Sequence, residues 1–167
     1  ILLFLFLGDV RSSLIVVATL ILTPLLTFLV MNRYGISANL MSLGGLAIAI
    51  GIMVDGSVVV VENTFAKLGE RLKAGESKNR IILEAATEVG KPVLFGIGII
   101  ILVFMPLLSL EGMEGKMFAP MAITIAIALA ISLILSFTLS PVLCSYILKG
   151  GSEDDTKAVK KLRSYYE

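Results

Sequence analysis

The stretch NLMSLGGLAIAIGIMVDGSVVVVEN, residues 39–63, decides how the rest of the chain is read. It is long and apolar enough to cross a bilayer, for which a helix needs about 20 residues. Yet it places a carboxylate, Asp55, inside the apolar run and a second, Glu62, seven residues on. A charge at the bilayer centre costs roughly 2.5–3.5 kcal/mol on insertion scales. Membrane insertion does not require that cost, so Asp55 points to uptake and release of a proton or to cation binding. At 100° per residue, positions seven apart fall within about 20° of each other. Gly44, Gly51, Asp55 and Glu62 therefore share a stripe, with Ala47 close by. Small residues at such spacing let a neighbouring helix approach closely. The expectation is that Gly44, Ala47 and Gly51 form a helix-packing face and that Asp55 looks into a packed bundle. A structural hydrogen-bonding role is the alternative for Asp55. A place near headgroups or water is the alternative for Glu62.

Composition agrees with a membrane location. Of 167 residues, 57% are hydrophobic, and the mean hydropathy is +0.97, far outside the range of soluble domains. A net charge of +1 gives no sign of a nucleic-acid partner. Cys144 is the single cysteine and there is no histidine. A disulfide framework and the commonest zinc or copper ligands are thereby excluded.

The expected fold class is all-α, a polytopic transmembrane helix bundle. The opening ILLFLFL, residues 1–7, reads as the truncated tail of a helix, and the chain as a fragment of something larger. Spans are expected at about 13–31, 38–63, 92–110 and 117–148. Residues 64–91 form a polar connection, with a short helix over 78–89 ended by Gly90. Residues 111–116 read as a glycine-rich loop. Residues 149–167 read as an amphipathic surface helix, acidic in its first turn and basic late, as the helix dipole favours. On this assignment one side collects Arg11, Lys67, Arg71, Lys73, Lys78, Arg80, Lys91, Lys149, Lys157, Lys160, Lys161 and Arg163. The other holds Arg33 and Lys116. The positive-inside rule makes the first side cytoplasmic.

Three motifs carry a family resemblance: SANLMSLGG (37–45) with MVDG (53–56) and VEN (61–63); LEGMEGKMFAPMA (110–122); and LSPVLC (139–144). With them the chain resembles the resistance–nodulation–division (RND) exporters, in particular the heavy-metal efflux branch of the CusA and CzcA type. The resemblance covers essentially the whole chain, from the end of the second transmembrane helix to the sixth and the surface helix beyond. It implies a secondary transporter rather than an enzyme: a homotrimeric, multi-pass pump of the bacterial inner membrane. Such a pump sits in lipid, works with a periplasmic adaptor and an outer-membrane channel, and exports metal cations against proton entry, without a bound cofactor. Asp55 matches the family's proton-relay aspartate and Glu62 the glutamate of its VEN motif. Met41 and Met53 match transmembrane methionines implicated in copper and silver export.

Departures bear on the metal. Zinc-type pumps carry a second aspartate where Ala49 stands, and drug exporters carry one where Val54 stands. No methionine occurs between Ala122 and Leu148. Thioethers suit Cu(I) or Ag(I), while methionine is also an ordinary filler of apolar packing. The relay needs a cation whose proximity lowers the carboxyl pKa, and the apolar spans contain no lysine or arginine. The family architecture places that partner, a lysine, in a part of the pump outside this sequence. Alternatives are an RND-type exporter of organic compounds and an auxiliary RND-like subunit of a translocation machine. An aspartyl protease would need a second intramembrane aspartate.

Overall fold

The structure is a computed structural model, and it describes residues 10–148. Four long helices follow one another: α1 (Val10–Arg33), α2 (Leu40–Arg71), α3 (Lys78–Phe104) and α4 (Gly112–Ile147). Each is long and apolar enough to cross a membrane. The readings made for 1–9 and 149–167 lie outside the described residues.

Local chemistry explains the boundaries. Gly35 takes φ 67°, allowing the tight reversal between α1 and α2. Asn39 caps α2: its side-chain oxygen accepts from the Ser42 amide at 2.9 Å. The chain reverses again between Arg71 and Lys78, with Gly75 at φ 84°.

Two expectations about helix ends are corrected. Gly90 does not end a short helix; α3 runs unbroken from Lys78 past Pro92 to Phe104. Pro92 removes one N–H, the partner of the Glu88 carbonyl, and a single lost bond does not stop a helix anchored at both sides of it. Pro106 does end the α-helix, which tightens into a 3-10 turn over Met105–Ser109. The glycine-rich segment 111–116 is mostly helical, because α4 begins at Gly112. Gly115 is needed there. A Cβ at this position would lie 2.0 Å from the Leu110 carbonyl oxygen.

The most extensive helix contact is between α2 and α4; α1 packs on both, and α3 packs against α2 and α4. One apolar cluster joins all four helices at the polar end, around Ile15, Val61, Leu68, Ile81 and Cys144. A second fills the other half between α2, α3 and α4, around Leu46, Ala49, Ile97, Ile125 and Leu129. Between them α4 presents a buried ridge with a four-residue step: Thr124, Ala128, Ser132, Ser136, Ser140 and Cys144. Such small side chains let helices come close in a bilayer. On α1, Thr19, Thr23 and Thr27 are buried and satisfy their hydroxyls by donating to carbonyls three or four residues earlier.

Candidate functional site: the open face of α2

The packing of α2 leaves one side uncovered. Leu46 and Thr64 lie nine residues before and after Asp55, half a turn opposite it at 100° per residue. Both are buried, and Asp55 is exposed. Gly44, Ala47, Gly51 and Glu62 are exposed on the same side. Asp55 and Glu62 stand about 10 Å apart along the axis, at 1.5 Å per residue.

The stripe read from the sequence is thus one continuous face, but no described residue packs against its glycines. A Cβ added at Gly44 or Gly51 would meet nothing within 4 Å among the described residues. The close approach falls one position over, at Gly45. A Cβ there would lie 2.7 Å from the Met121 carbonyl oxygen of α4. The physical reason is that α2 has small residues on two sides. Ser42, Gly45, Ala49 and Ser57 face the bundle, leaving the Gly44–Gly51–Asp55 side open.

Two fixings hold α2 in this orientation. In the core, the Ser57 and Ser136 hydroxyls are hydrogen-bonded at 3.0 Å, two residues from Asp55. At the polar end, Asn63 donates to the Ala85 carbonyl at 2.9 Å and Lys67 pairs with Glu88. Arg71 pairs with Glu76 and Glu84, both at 2.5 Å. Arg71 and then Arg80 hold the Glu84 carboxyl below its ordinary range; Lys67 and then Asn63 do the same for Glu88. Both acids therefore stay ionised at neutral pH. Asp55 makes no hydrogen bond or ion pair among the described residues.

The two methionines are not brought together. Met53 is 2% exposed within the apolar cluster of α2, α3 and α4, a packing position. Met41 is half-buried near the start of α2, about 18 Å away by helix rise. Among the described residues there is no group of three or more Cys, Asp or Glu placed to hold a metal ion. Sequence reasoning missed Gly45, Ser57, Ser136 and the polar pairs. The signal for the last was present, since Asn63, Lys67 and Arg71 repeat every four residues and so do Glu84 and Glu88.

A multi-pass α-helical membrane bundle with a carboxylate-bearing open face is the class these features define. The chain belongs to the AcrB/AcrD/AcrF family, whose model matches residues 1–167. It is 44% identical to protein HelA of Legionella pneumophila over 156 residues, 90% of this chain and 15% of that protein. It is 37% identical to the cation efflux system protein CusA of Escherichia coli K12, over 87% of this chain and 15% of CusA. With the cobalt-zinc-cadmium resistance protein CzcA of Cupriavidus metallidurans it shares 45% identity over 75% of its length and 12% of CzcA. A crystal structure of a heavy metal efflux pump superposes with a TM-score of 0.69 at 37% identity. That match covers 87% of this chain and 14% of the pump. The chain thus spans about 15% of the length of these relatives. It is a heavy-metal-type RND fragment by sequence and by fold.

Proposed function

We propose that this chain is the proton-relay part of the membrane domain of a proton-driven heavy-metal exporter in the bacterial inner membrane. One observation carries the reading. Asp55 lies at the middle of the face of α2 that no described residue covers, within an apolar helix, without a cation beside it among the described residues. Desolvation raises a carboxyl pKa and a nearby cation lowers it. A lysine brought to this face by the remainder of the protein, and withdrawn again, makes Asp55 release and take up a proton in turn. That alternation biases two conformations differently, which is what coupling requires. Glu62, farther along the same face and nearer the polar end, serves as the second carboxylate of the path.

The names of the relatives favour a cation as cargo over an organic compound: a cation efflux protein and a cobalt-zinc-cadmium resistance protein. The exported ion and protons are substrates, and the reading invokes no resident cofactor. Homotrimer formation and docking to a periplasmic adaptor and an outer-membrane channel complete the proposal.

The decisive experiment is metal flux driven by a proton gradient in proteoliposomes holding the full-length protein. Asp55→Asn keeps size and hydrogen bonding but cannot exchange a proton. The variant is expected to assemble normally, since it removes a costly charge and no packing group, and to lose gradient-dependent flux. Wild-type flux in a normally assembled Asp55→Asn protein would end the relay reading. Glu62→Gln is expected to be milder.

A further inference from the structure

Beyond its apolar stretch α2 carries Asn63, Lys67 and Arg71 at steps of four, so the three lie along one slowly turning ridge. The antiparallel α3 answers with Glu84, Ala85 and Glu88. Arg71 donates to Glu84 at 2.5 Å, Lys67 donates to Glu88, and Asn63 donates to the Ala85 carbonyl at 2.9 Å and to Glu88 at 3.4 Å. The step back from Arg71 to Lys67 along α2 is matched by the step forward from Glu84 to Glu88 along α3. Asn63, one step further back, closes onto the Ala85 carbonyl and the Glu88 carboxylate. A shift of one residue, which turns a helix by 100°, mispairs every donor. Exposed ion pairs contribute little individually; matched as a series, they select one register.

The same four-residue ridge runs back through Val59 to Asp55. The direction in which Asp55 points is therefore tied to the zipper, with the Ser57–Ser136 bond as the second fixed point. Pro92 falls four residues after Glu88 and releases the Glu88 carbonyl from its helical bond. Beyond it α3 is the least buried of the four spans. On the zipper side of Pro92, α3 is attached by polar pairs as well as by Ile81, Ile82, Ala85 and Ala86; beyond it the attachment is apolar, through Val93, Ile97 and Ile100.

We propose that Asn63, Lys67 and Arg71 are positioning residues for Asp55: paired with Glu84, Ala85 and Glu88, they set the rotation of α2 and so present its open face to the rest of the protein. This inference rests on the relay reading above.

The test uses the full-length protein in proteoliposomes under a proton gradient, with Zn²⁺ and with Ag⁺ as separate probes. Lys67→Glu and Glu88→Lys each oppose like charges and are expected to lower flux about fivefold at normal assembly. The double swap Lys67→Glu/Glu88→Lys restores it. Asn63→Leu lowers flux as well. Spin labels at positions 59 and 94 report the rotation directly: their distance distribution shifts or broadens in the single swaps and returns in the double. Single swaps with wild-type flux and unchanged distances overturn the inference. So does a loss traced wholly to less assembled protein and not reversed by the double swap. Asp55→Asn in the same assay separates the two readings. If it retains flux, the relay reading falls and takes this inference with it. If it is inactive while Lys67→Glu is indistinguishable from wild type, the zipper inference alone falls.

Discussion

Gly45 marks a close approach of α2 to α4. A methyl group there meets the Met121 carbonyl oxygen at 2.7 Å and the Met121 Cα at 3.2 Å, both backbone atoms that no rotamer change moves aside. Gly45→Ala is therefore expected to destabilise the helix pair by about 1–3 kcal/mol, the usual cost of overpacking. Thermal unfolding of the full-length protein in detergent measures it, and an unchanged midpoint would show that the contact yields. Gly44→Ala is the contrasting variant, because a Cβ at Gly44 meets nothing within 4 Å among the described residues. Met53 is decided by similar logic. Its side chain fills the cluster of Leu46, Ala49, Ile125 and Leu129, so a volume-conserving Met53→Leu is expected to cost less than about 1.5 kcal/mol. Cells relying on the pump should keep their Cu(I) or Ag(I) tolerance with this variant. Lost tolerance at normal abundance would mean that the thioether acts as a ligand and not as packing.

At the level of elements, the four apolar helices were legible because a bilayer imposes a length and a composition that no loop imitates. At the start of α2, Asn39 caps the helix by accepting from the Ser42 amide, a cap that the span reading did not single out. Other boundaries escaped, for identifiable reasons. Gly90 and Pro92 together look like a stop, but in a membrane protein a helix absorbs one missing bond when its neighbours hold it. Here Ile81, Ile82, Ala85 and Ala86 anchor the first part of α3, while Val93, Ile97 and Ile100 pack beyond the proline. The EGMEG segment looks like a flexible loop. Gly112 supplies the positive φ that starts α4, and Gly115 allows the helix to pass the Leu110 carbonyl. For the candidate site, the sequence identified the residues of the Asp55 stripe but not what faces them. Periodicity places side chains around an axis; it does not say which of two small-residue sides meets a helix of the same chain. The hydroxyl pair Ser57–Ser136 joins residues 79 apart in sequence, and no local pattern announces such a contact.

For the molecule as a whole, the up-and-down order of the helices fixes which charges share an end. Arg11 begins α1, Lys67 and Arg71 end α2, and Lys78 and Arg80 begin α3; Lys73 lies in the connection between α2 and α3. Arg33 ends α1 and Lys116 lies in the first turns of α4, at the opposite end. Lysine and arginine in short loops are retained on the cytoplasmic side during insertion. The link between α2 and α3, residues 72–77, is short enough for the rule to apply in its simple form. The prediction for the proposed inner-membrane pump is that position 73 faces the cytoplasm and position 116 the periplasm. The zipper of Arg71, Lys67 and Glu88 then lies on the cytoplasmic side, where Glu62 approaches it along α2. A single-cysteine experiment measures this. Cys144 is buried among small and apolar neighbours, so Cys144→Ala in the full-length protein is a suitable background. An impermeant maleimide added to intact cells with a permeabilised outer membrane should label Lys116→Cys and spare Lys73→Cys. Disrupting the inner membrane should expose position 73. Labelling of position 73 from the periplasm would invert the bundle. The open carboxylate face would then run from Asp55 to Glu62 toward the periplasm.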